Sequence, residues 1–221
     1  MAKTLAISVA IDGPAGAGKS TVSRMLSSKT GFELLDTGAM YRTFAWLDLQ
    51  NNYGTKLSER IADHEIEFDM SSGKMRVECD GIDISSEIRS SEVTSHVSVV
   101  AADFEVRKIA VKQQQNFVKH ELLEGKSVIL EGRDIGTTVL PDASIKFFLT
   151  ANPEKRAERR ALEVGGDVES IASAIAKRDQ LDSSRDVSPL VQANDAVLID
   201  ASDLSAEQVV EIMFVEIEKI K

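Results

Sequence analysis

The sequence has a single cysteine and no long apolar run, and each of these shortages excludes a class of protein. One cysteine, Cys79, cannot form an internal disulfide framework, which fits a reducing compartment. No run of about 18 apolar residues occurs, so we expect no membrane span and no membrane partner. The N-terminal Met-Ala-Lys-Thr-Leu leads directly into a predicted strand, which argues against a signal peptide. We therefore expect a cytoplasmic protein.

The chain also lacks a net positive charge, because acidic residues outnumber basic ones. The chain has 26 lysines and arginines against 36 acidic residues, a net charge of −10. Nucleic-acid binding usually requires a basic surface, so a polymer partner is not expected. The arginines are nevertheless clustered near the sequence positions 156–160 and 178–185. This distribution favours a small polyanion held in a local pocket.

What the chain does contain is a glycine-rich motif at 13–21, G-P-A-G-A-G-K-S-T. It follows an apolar run and precedes a segment with helical periodicity, which is the setting required of the phosphate-binding loop G-x-x-x-x-G-K-[ST]. Glycines keep the loop bare, so that backbone N–H groups can reach nucleotide phosphates. We expect Lys19 to reach the β- and γ-phosphates and the Ser20 hydroxyl to bind Mg²⁺.

The rest of the chain alternates between short apolar strands and helices. Five continuous apolar strands predict a parallel sheet covered by helices on both faces. Helices are predicted over 39–49 and 56–68, among others, and a small antiparallel excursion over 75–84, where polar and apolar residues alternate around the turn Asp80-Gly81. A capping box at Ser205 starts the last helix, with Ile212 among its inward residues.

Polar groups follow three of the predicted strands, at the edge where open α/β sheets bind ligands. They are the phosphate loop, Asp36-Thr-Gly with Arg42 beyond it, and Glu131-Gly-Arg133-Asp134. Arginine suits phosphoryl transfer because its planar fork binds phosphate oxygens bidentately and stays charged. Glycines 165 and 166 separate two arginine-bearing helices and suggest a mobile lid.

An alternative interpretation is that the predicted lid arginines lie on a solvent-exposed helix face and do not contact a ligand. Arg156, Arg159 and Arg160 can then pair with neighbouring glutamates, namely Glu154, Glu158 and Glu163. The three histidines match no catalytic pattern, and we expect them to be surface or core residues: His64, His96 and His120.

Longer motifs make a resemblance specific. Beside the phosphate loop stand L-D-T-G-A-M-Y-R at 35–42, D-G-I-D-I-S-S-E-I-R at 80–89, E-G-R-D-I-G-T-T-V-L-P-D-A at 131–143 and R-D-Q-L-D-S-S-R-D-V-S-P-L at 178–190. With these, the sequence resembles the bacterial cytidylate kinase family of the nucleoside monophosphate kinase group, almost end to end. The resemblance implies transfer of the γ-phosphoryl group of ATP, with Mg²⁺, to CMP and dCMP, giving CDP or dCDP and ADP.

The resemblance also implies roles for individual residues. The ATP-binding set is Gly13, Pro14, Ala15, Gly16, Ala17, Gly18, Lys19, Ser20, Thr21, Arg156, Arg159 and Arg160, with Ser20 on the metal. The CMP-binding set is Thr37, Arg42, Ser98, Arg107, Arg133, Asp134, Arg178, Asp182 and Arg185. Within these, the catalytic set is Lys19, Arg133, Asp134, Arg178 and Arg185.

The expected fold is therefore α/β: a P-loop NTPase-type five-stranded parallel sheet flanked by helices, with an antiparallel insertion and a helical lid. We expect one kinase domain and a monomer, with a core of 1–62, 92–152 and 190–221, an acceptor-binding insertion at about 63–91 and a lid at about 153–189. Two alternatives stay open: a kinase for UMP, AMP or shikimate, and a nucleotide-responsive switch without catalysis.

Overall fold

The computed structural model describes residues 5–69 and 75–221, and the chain divides into two units. The first unit contains Met1–Leu35 and Phe117–Lys221, and the second contains Asp36–Asn116. Residues 1–4 of the predicted N-terminal lead-in and 70–74 of the predicted insertion lie outside the described part of the chain.

A five-stranded parallel sheet forms the centre of the first unit and confirms the predicted strands. Its order is β2-β6-β1-β7-β8. The strands are β1 (Ser8–Asp12), β2 (Glu33–Asp36), β6 (Val128–Glu131), β7 (Ile145–Thr150) and β8 (Val197–Asp200). In the register, Ile11 lies beside Glu131 on one side and Phe147 on the other. All five residues of β1 are buried, because a central strand covered on both faces leaves no side chain in solvent.

Four of the described α-helices lie wholly in the first unit, and their ends follow the local sequence. They are α1 (Lys19–Thr30), α6 (Pro153–Val164), α7 (Val168–Ser183) and α8 (Ala206–Glu218). Asn152 caps α6 with Pro153 in its first turn, and the capping box at Ser205 starts α8, as predicted. Helix α1 packs against α8, and α6 packs against α7. Met213 and Ile217 of α8 are fully buried, whereas Ile212 is 39% exposed and its predicted inward position is wrong.

The second unit combines helices with a three-stranded antiparallel sheet of order β3-β4-β5. Its elements are α2 (Thr37–Asn51), α3 (Leu57–Arg60), β3 (Ile66–Asp69), β4 (Arg76–Cys79), β5 (Ile82–Asp83) and α4 (Ser91–Val100). Helix α5 (Phe104–Leu123) begins in this unit. Asp80 and Gly81 both have positive φ, at 52° and 76°, which suits the tight turn between β4 and β5.

Two predicted boundaries in this unit are wrong. The helix expected over 56–68 ends early, since only Leu57–Arg60 is α-helical and Ile66–Asp69 pairs with β4 as a strand. Ile66 and Phe68 alternate with acidic neighbours, so the local period is two and favours a strand. Helix α2 begins at Thr37 rather than 39, because the Asp36 carboxylate accepts the Ala39 N–H and caps the helix.

No described helix combines the length and apolar character that crossing a bilayer requires.

Substitution of Gly13 should destabilise the first unit more than substitution of Gly31. A Cβ on Gly13 would lie 2.0 Å from the Leu149 carbonyl oxygen of β7, whereas a Cβ on Gly31 meets no atom within 4 Å. Both have positive φ, so Gly31→Ala isolates the backbone cost, which is about 1 kcal/mol. Gly13→Ala should lower the free energy of unfolding by about 3 kcal/mol or more. Equal losses in urea unfolding would contradict the close approach of the loop to β7.

Candidate active site

The glycine-rich loop of residues 13–18 joins the end of β1 to the start of α1, as the motif predicted. Gly18 precedes the helix with a φ of 93°, and no side chain caps the first turn. The first N–H groups of a helix without a cap are available to an anion, and the helix dipole favours negative charge there. The loop therefore has the chemistry of a phosphate site.

Lys19 is buried at the base of this loop, where its Nζ donates to the carbonyl oxygens of Gly13 and Pro14, each at 2.8 Å. Burial, followed by the positive charges of Arg133 and Arg178, lowers the pKa of Lys19 well below its usual value. The carboxylates of Glu131 and Asp12 act in the opposite direction and do not offset those effects. A phosphate brought to this point supplies the missing negative charge.

Ser20 and Glu131 provide oxygen atoms that suit a magnesium ion. The Ser20 hydroxyl donates to Oε2 of Glu131 at 3.0 Å, and Ser20 is exposed whereas Glu131 is buried. Mg²⁺ prefers oxygen ligands and retains several waters, so one hydroxyl beside one carboxylate at a solvent-accessible edge fits the ion.

Asp12, the last residue of β1, was not among the predicted site residues. Its two carboxylate oxygens accept the backbone N–H groups of Ile135 and Gly136, at 2.8 and 2.7 Å. The pKa of Asp12 is raised from 3.8 to about 6, chiefly by burial and also by the neighbouring Asp134, while the two N–H bonds and Lys19 oppose the rise. A carboxyl group at the end of the strand that feeds the loop is the signal that could have identified it.

A buried network brings together three of the predicted acceptor-site residues. Asp182 on α7 is 1% exposed and accepts from Arg133 Nε at 2.9 Å and from Arg185. Arg178 lies one turn earlier on α7, and its positive charge lowers the pKa of Lys19. Asp134 follows Arg133 directly and is buried. In the first unit, the structure thus gathers Lys19, Arg133, Asp134, Arg178, Asp182 and Arg185 around the strand ends.

The three predicted lid arginines have different environments on α6. Arg156 is buried, donates to the Ala15 carbonyl oxygen of the loop at 2.9 Å and pairs with Asp179 of α7. Arg159 donates to the backbone carbonyls of Ala201 and Leu204. Arg160 pairs with Glu163 on the exposed helix face, as the alternative interpretation expected.

Asp179 is a second residue that the sequence prediction missed. Its Oδ1 accepts the Ala15 N–H of the loop at 3.0 Å, while its Oδ2 pairs with Arg156. The carboxylate therefore occupies a loop N–H group that a phosphate oxygen would otherwise accept from. Its position beside Arg178 in the motif at 178–190 is the only sequence signal for it.

The remaining predicted residues lie in the second unit. Thr37 is buried at the start of α2, and Arg42 one turn later donates to Asp36 at 2.8 Å. Arg107 on α5 is buried, donates to the Ala101 carbonyl at 2.9 Å and lies over the Tyr41 ring with 5.4 Å to its centroid. Ser98 is half-buried on α4. Arg42 and Arg107 thus have their guanidinium groups held by neighbours within this unit.

The histidines pair with acidic groups. His96 Nε2 lies 2.7 Å from Asp48, and His120 is exposed beside Glu121. His64 Nδ1 lies 2.7 Å from Asp80 and its Nε2 lies 3.0 Å from the Tyr53 hydroxyl. Ligand atoms of His64, Cys79 and Asp80 lie within 4.8 Å of one another, a grouping that the sequence did not predict. Asp80 also accepts the Glu65 N–H at 2.9 Å. These contacts therefore connect the turn between β4 and β5 to the residues just before β3.

A buried lysine in a bare loop between a central parallel strand and a helix is the arrangement of a P-loop nucleotide-binding protein. A family model described as cytidylate kinase matches residues 9–219. A cytidylate kinase of Caldanaerobacter subterraneus subsp. tengcongensis is 47% identical over 220 residues, covering 97% of this chain and 96% of that protein. One of Bacillus thuringiensis is 44% identical over 216 residues, covering 93% of each. The chain belongs to the cytidylate kinase family.

Solved structures agree on the fold. An uncharacterised protein of Eubacterium ventriosum is 16% identical, with a TM-score of 0.53 over 96% of this chain and 98% of that one. A sugar kinase of a Janibacter species is 13% identical, with a TM-score of 0.52 over 96% of this chain and 95% of that one. At such identities the likeness supports the predicted α/β architecture alone.

The ionised Asp12 should reduce the stability of the wild-type protein relative to Asp12→Asn as pH rises. Its pKa is about 6 in the folded protein and 3.8 as a reference, so the folded state binds the proton more tightly between these values. Between pH 4 and pH 6.5, the free energy of unfolding of wild type should therefore fall relative to the variant by up to about 3 kcal/mol. Urea unfolding at several pH values measures the difference.

Ser8→Ala, at the other end of β1, is the control for this measurement. It removes the acceptor of the Ser144 N–H and introduces no titrating group, so its difference from wild type should not vary with pH. If the difference in free energy of unfolding between wild type and Asp12→Asn also does not vary with pH, the assigned ionisation of Asp12 is wrong.

Proposed function

We propose that the protein transfers the γ-phosphoryl group of ATP to CMP and dCMP, giving CDP or dCDP and ADP. The observation that carries the proposal is the buried Lys19 at the phosphate loop with the positive charges of the half-buried Arg133 and Arg178 beside it, in a member of the cytidylate kinase family. Phosphoryl transfer asks chiefly for positioning and for neutralisation of charge on the phosphates. The protein supplies both from groups that are held in place before substrate arrives.

The donor phosphates bind to the loop of residues 13–18, to Lys19 and to the first turn of α1, including Thr21. Mg²⁺, when bound with ATP, neutralises phosphate charge. Ser20 would hold it, with the Glu131 carboxylate oriented beside the hydroxyl at 3.0 Å. Binding of ATP replaces Asp179 at the Ala15 N–H with a phosphate oxygen, which releases the Asp179 carboxylate.

Helices α6 and α7 act as a lid in this proposal, within the boundaries 153–189. Arg156 is already adjacent to the loop, and Arg159 and Arg160 would exchange their present contacts for ATP phosphates on closure. Exclusion of water by a lid prevents transfer of the phosphoryl group to water. The core would be 1–62, 92–152 and 190–221, and the insertion about 63–91.

The acceptor phosphate is bound by Arg42, Arg133 and Arg178. Asp182 holds Arg133 and Arg185 in fixed orientation, near the proposed position of the pentose of CMP or dCMP. The Thr37 hydroxyl adds a neutral donor. Guanidinium groups suit this task because they bind phosphate oxygens in pairs and cannot lose their charge.

Asp134, Arg107 and Ser98 recognise cytosine. The base presents an exocyclic amino donor at N4 beside acceptors at N3 and O2, so a carboxylate accepts from N4 and an arginine donates to O2 and N3. Uracil has an oxygen in place of N4, which a carboxylate would oppose. An unpaired buried polar group costs roughly 1–3 kcal/mol, enough for tenfold to hundredfold discrimination.

The proposed enzyme is a cytoplasmic monomer whose partners are its small-molecule substrates, without nucleic acid or membrane. The net charge of −10 and the clustering of its arginines support small anionic substrates over a nucleic-acid partner.

ADP release with ATP and Mg²⁺ should depend on CMP or dCMP. We expect both to support much faster release than UMP, AMP or shikimate in a coupled assay, because among these acceptors only cytosine places an amino donor beside the N3 and O2 acceptors that Asp134 and Arg107 complement. Lys19→Ala should lower turnover by about two orders of magnitude or more while preserving the circular dichroism spectrum. The proposal is wrong if CMP releases no more ADP than a reaction without acceptor.

Asp134→Ala should narrow the preference for CMP over UMP. Loss of the carboxylate removes the partner of N4 and the repulsion of the uracil oxygen, so the ratio of kcat/KM values should fall by about tenfold to hundredfold. An Asp182→Asn variant is the matched control, since it alters another buried aspartate and should lower both activities alike. An unchanged ratio in Asp134→Ala would remove Asp134 from base recognition.

A further inference from the structure

Asp12 connects the strand that feeds the phosphate loop to the segment that carries Asp134. It ends β1, is 4% exposed, and its two oxygens accept the N–H groups of Ile135 and Gly136. These are the first two residues after Asp134. Each oxygen of the carboxylate thus fixes one peptide group immediately beyond the proposed base-recognition residue.

The segment after Asp134 is further restricted by its own hydrogen bonds and by close packing. Residues Ile135–Val139 form one turn of π-helix, and the Asp134 carbonyl oxygen accepts the N–H groups of Thr138 and Val139. A Cβ on Gly136 would lie 3.1 Å from Cδ of Lys146 and 3.4 Å from Oδ2 of Asp12. The turn is therefore packed directly on the Asp12 carboxylate, and its position depends on that group.

A carboxylate at this position is unfavourable for the fold by itself. Burial raises the pKa of Asp12 to about 6, and the charge of Asp134 contributes in the same direction. A buried group that costs stability when ionised and yet supplies two well-formed hydrogen bonds suggests a role beyond the fold. The charged groups that face it are Lys19 and Asp134, with the Lys146 side chain beside Gly136.

We propose that Asp12 is a positioning residue that holds Asp134 in the orientation required to distinguish cytosine from uracil. The inference rests on the proposed function, since it assigns to Asp12 the support of a residue that reads the base. Asp12 itself does not touch the nucleotide base in this arrangement. Its effect passes through the Ile135 and Gly136 peptides.

Asp12→Asn tests this role with almost no change of volume. An asparagine oxygen can accept one of the two N–H groups, but its amide then directs a second donor at the other N–H group. The turn must shift to separate the two donors, and Asp134 shifts with it. We expect the CMP to UMP ratio of kcat/KM values to fall by about tenfold, chiefly through a higher KM for CMP.

Ser8→Ala is the matched control on the same strand. Ser8 Oγ accepts the Ser144 N–H at 3.3 Å at the opposite end of β1, so the variant loses a similar hydrogen bond far along the strand from Asp134. It should leave the ratio within twofold of wild type. Equal loss of both activities in Asp12→Asn, with an unchanged ratio, would show a structural role alone and would overturn the inference.

Asp134→Ala measured in parallel separates this inference from the function on which it rests. A reduced ratio in Asp134→Ala with a wild-type ratio in Asp12→Asn would reject the role of Asp12 and leave the proposed function intact. No CMP-dependent activity in wild type would reject the proposed function itself.

The wild-type protein provides a test that requires no variant to fold. The CMP to UMP ratio should fall as pH decreases from 7.5 to 5.5, because protonated Asp12 keeps only one good acceptor. The phosphates of the two acceptors ionise alike, near pH 6, so their titration cancels in the ratio. The ratio in Asp12→Asn should change less over this range. A wild-type ratio that is constant from pH 7.5 to 5.5 would contradict the proposal.

Discussion

The burial of Lys19 beside two arginines is the constraint on which the active site depends. Burial and the charges of Arg133 and Arg178 make the ammonium group harder to keep charged, and Glu131 and Asp12 compensate only in part. A site of this kind is unfavourable when empty and favourable when phosphates supply negative charge. Binding of an anionic substrate relieves the repulsion between these cations, and this relief favours binding.

The central strand β1 allows this concentration of charge. It brings the loop against β7 so closely that only glycine fits at position 13, and its last carboxylate supports the turn that follows β6. The loop glycines leave backbone N–H groups open, and one of them is bonded to Asp179 from α7. The phosphate loop, the turn after β6 and helix α7 are therefore linked through a few short side chains of the first unit.

Local features of the sequence predicted much of this structure, and contacts between distant residues were the part it could not supply. The loop, the five strands and the caps at Asn152 and Ser205 depend on neighbouring residues, and all were predicted. The bonds of Asp12 to Ile135 and of Asp179 to Ala15 join positions more than 100 residues apart, and no local pattern marks them. The alternation at Ile66 and Phe68 was present in the sequence but spans only four residues, too few to distinguish a strand from the end of a helix.

The arginines of α6 also show that local sequence does not predict contacts with distant residues. Arg160 pairs with Glu163 as its local sequence allows, whereas Arg156 contacts the loop and Asp179, and nothing in the helix period separates these outcomes. The proposed function is transfer of a phosphoryl group from ATP to CMP beside Lys19, Arg133 and Arg178. The most direct test is a reaction with ATP labelled at the γ-phosphorus, Mg²⁺ and CMP. We predict label in the β-phosphate of CDP, with one ADP formed per CDP. Label found only in inorganic phosphate, or remaining in ATP, would contradict the claim.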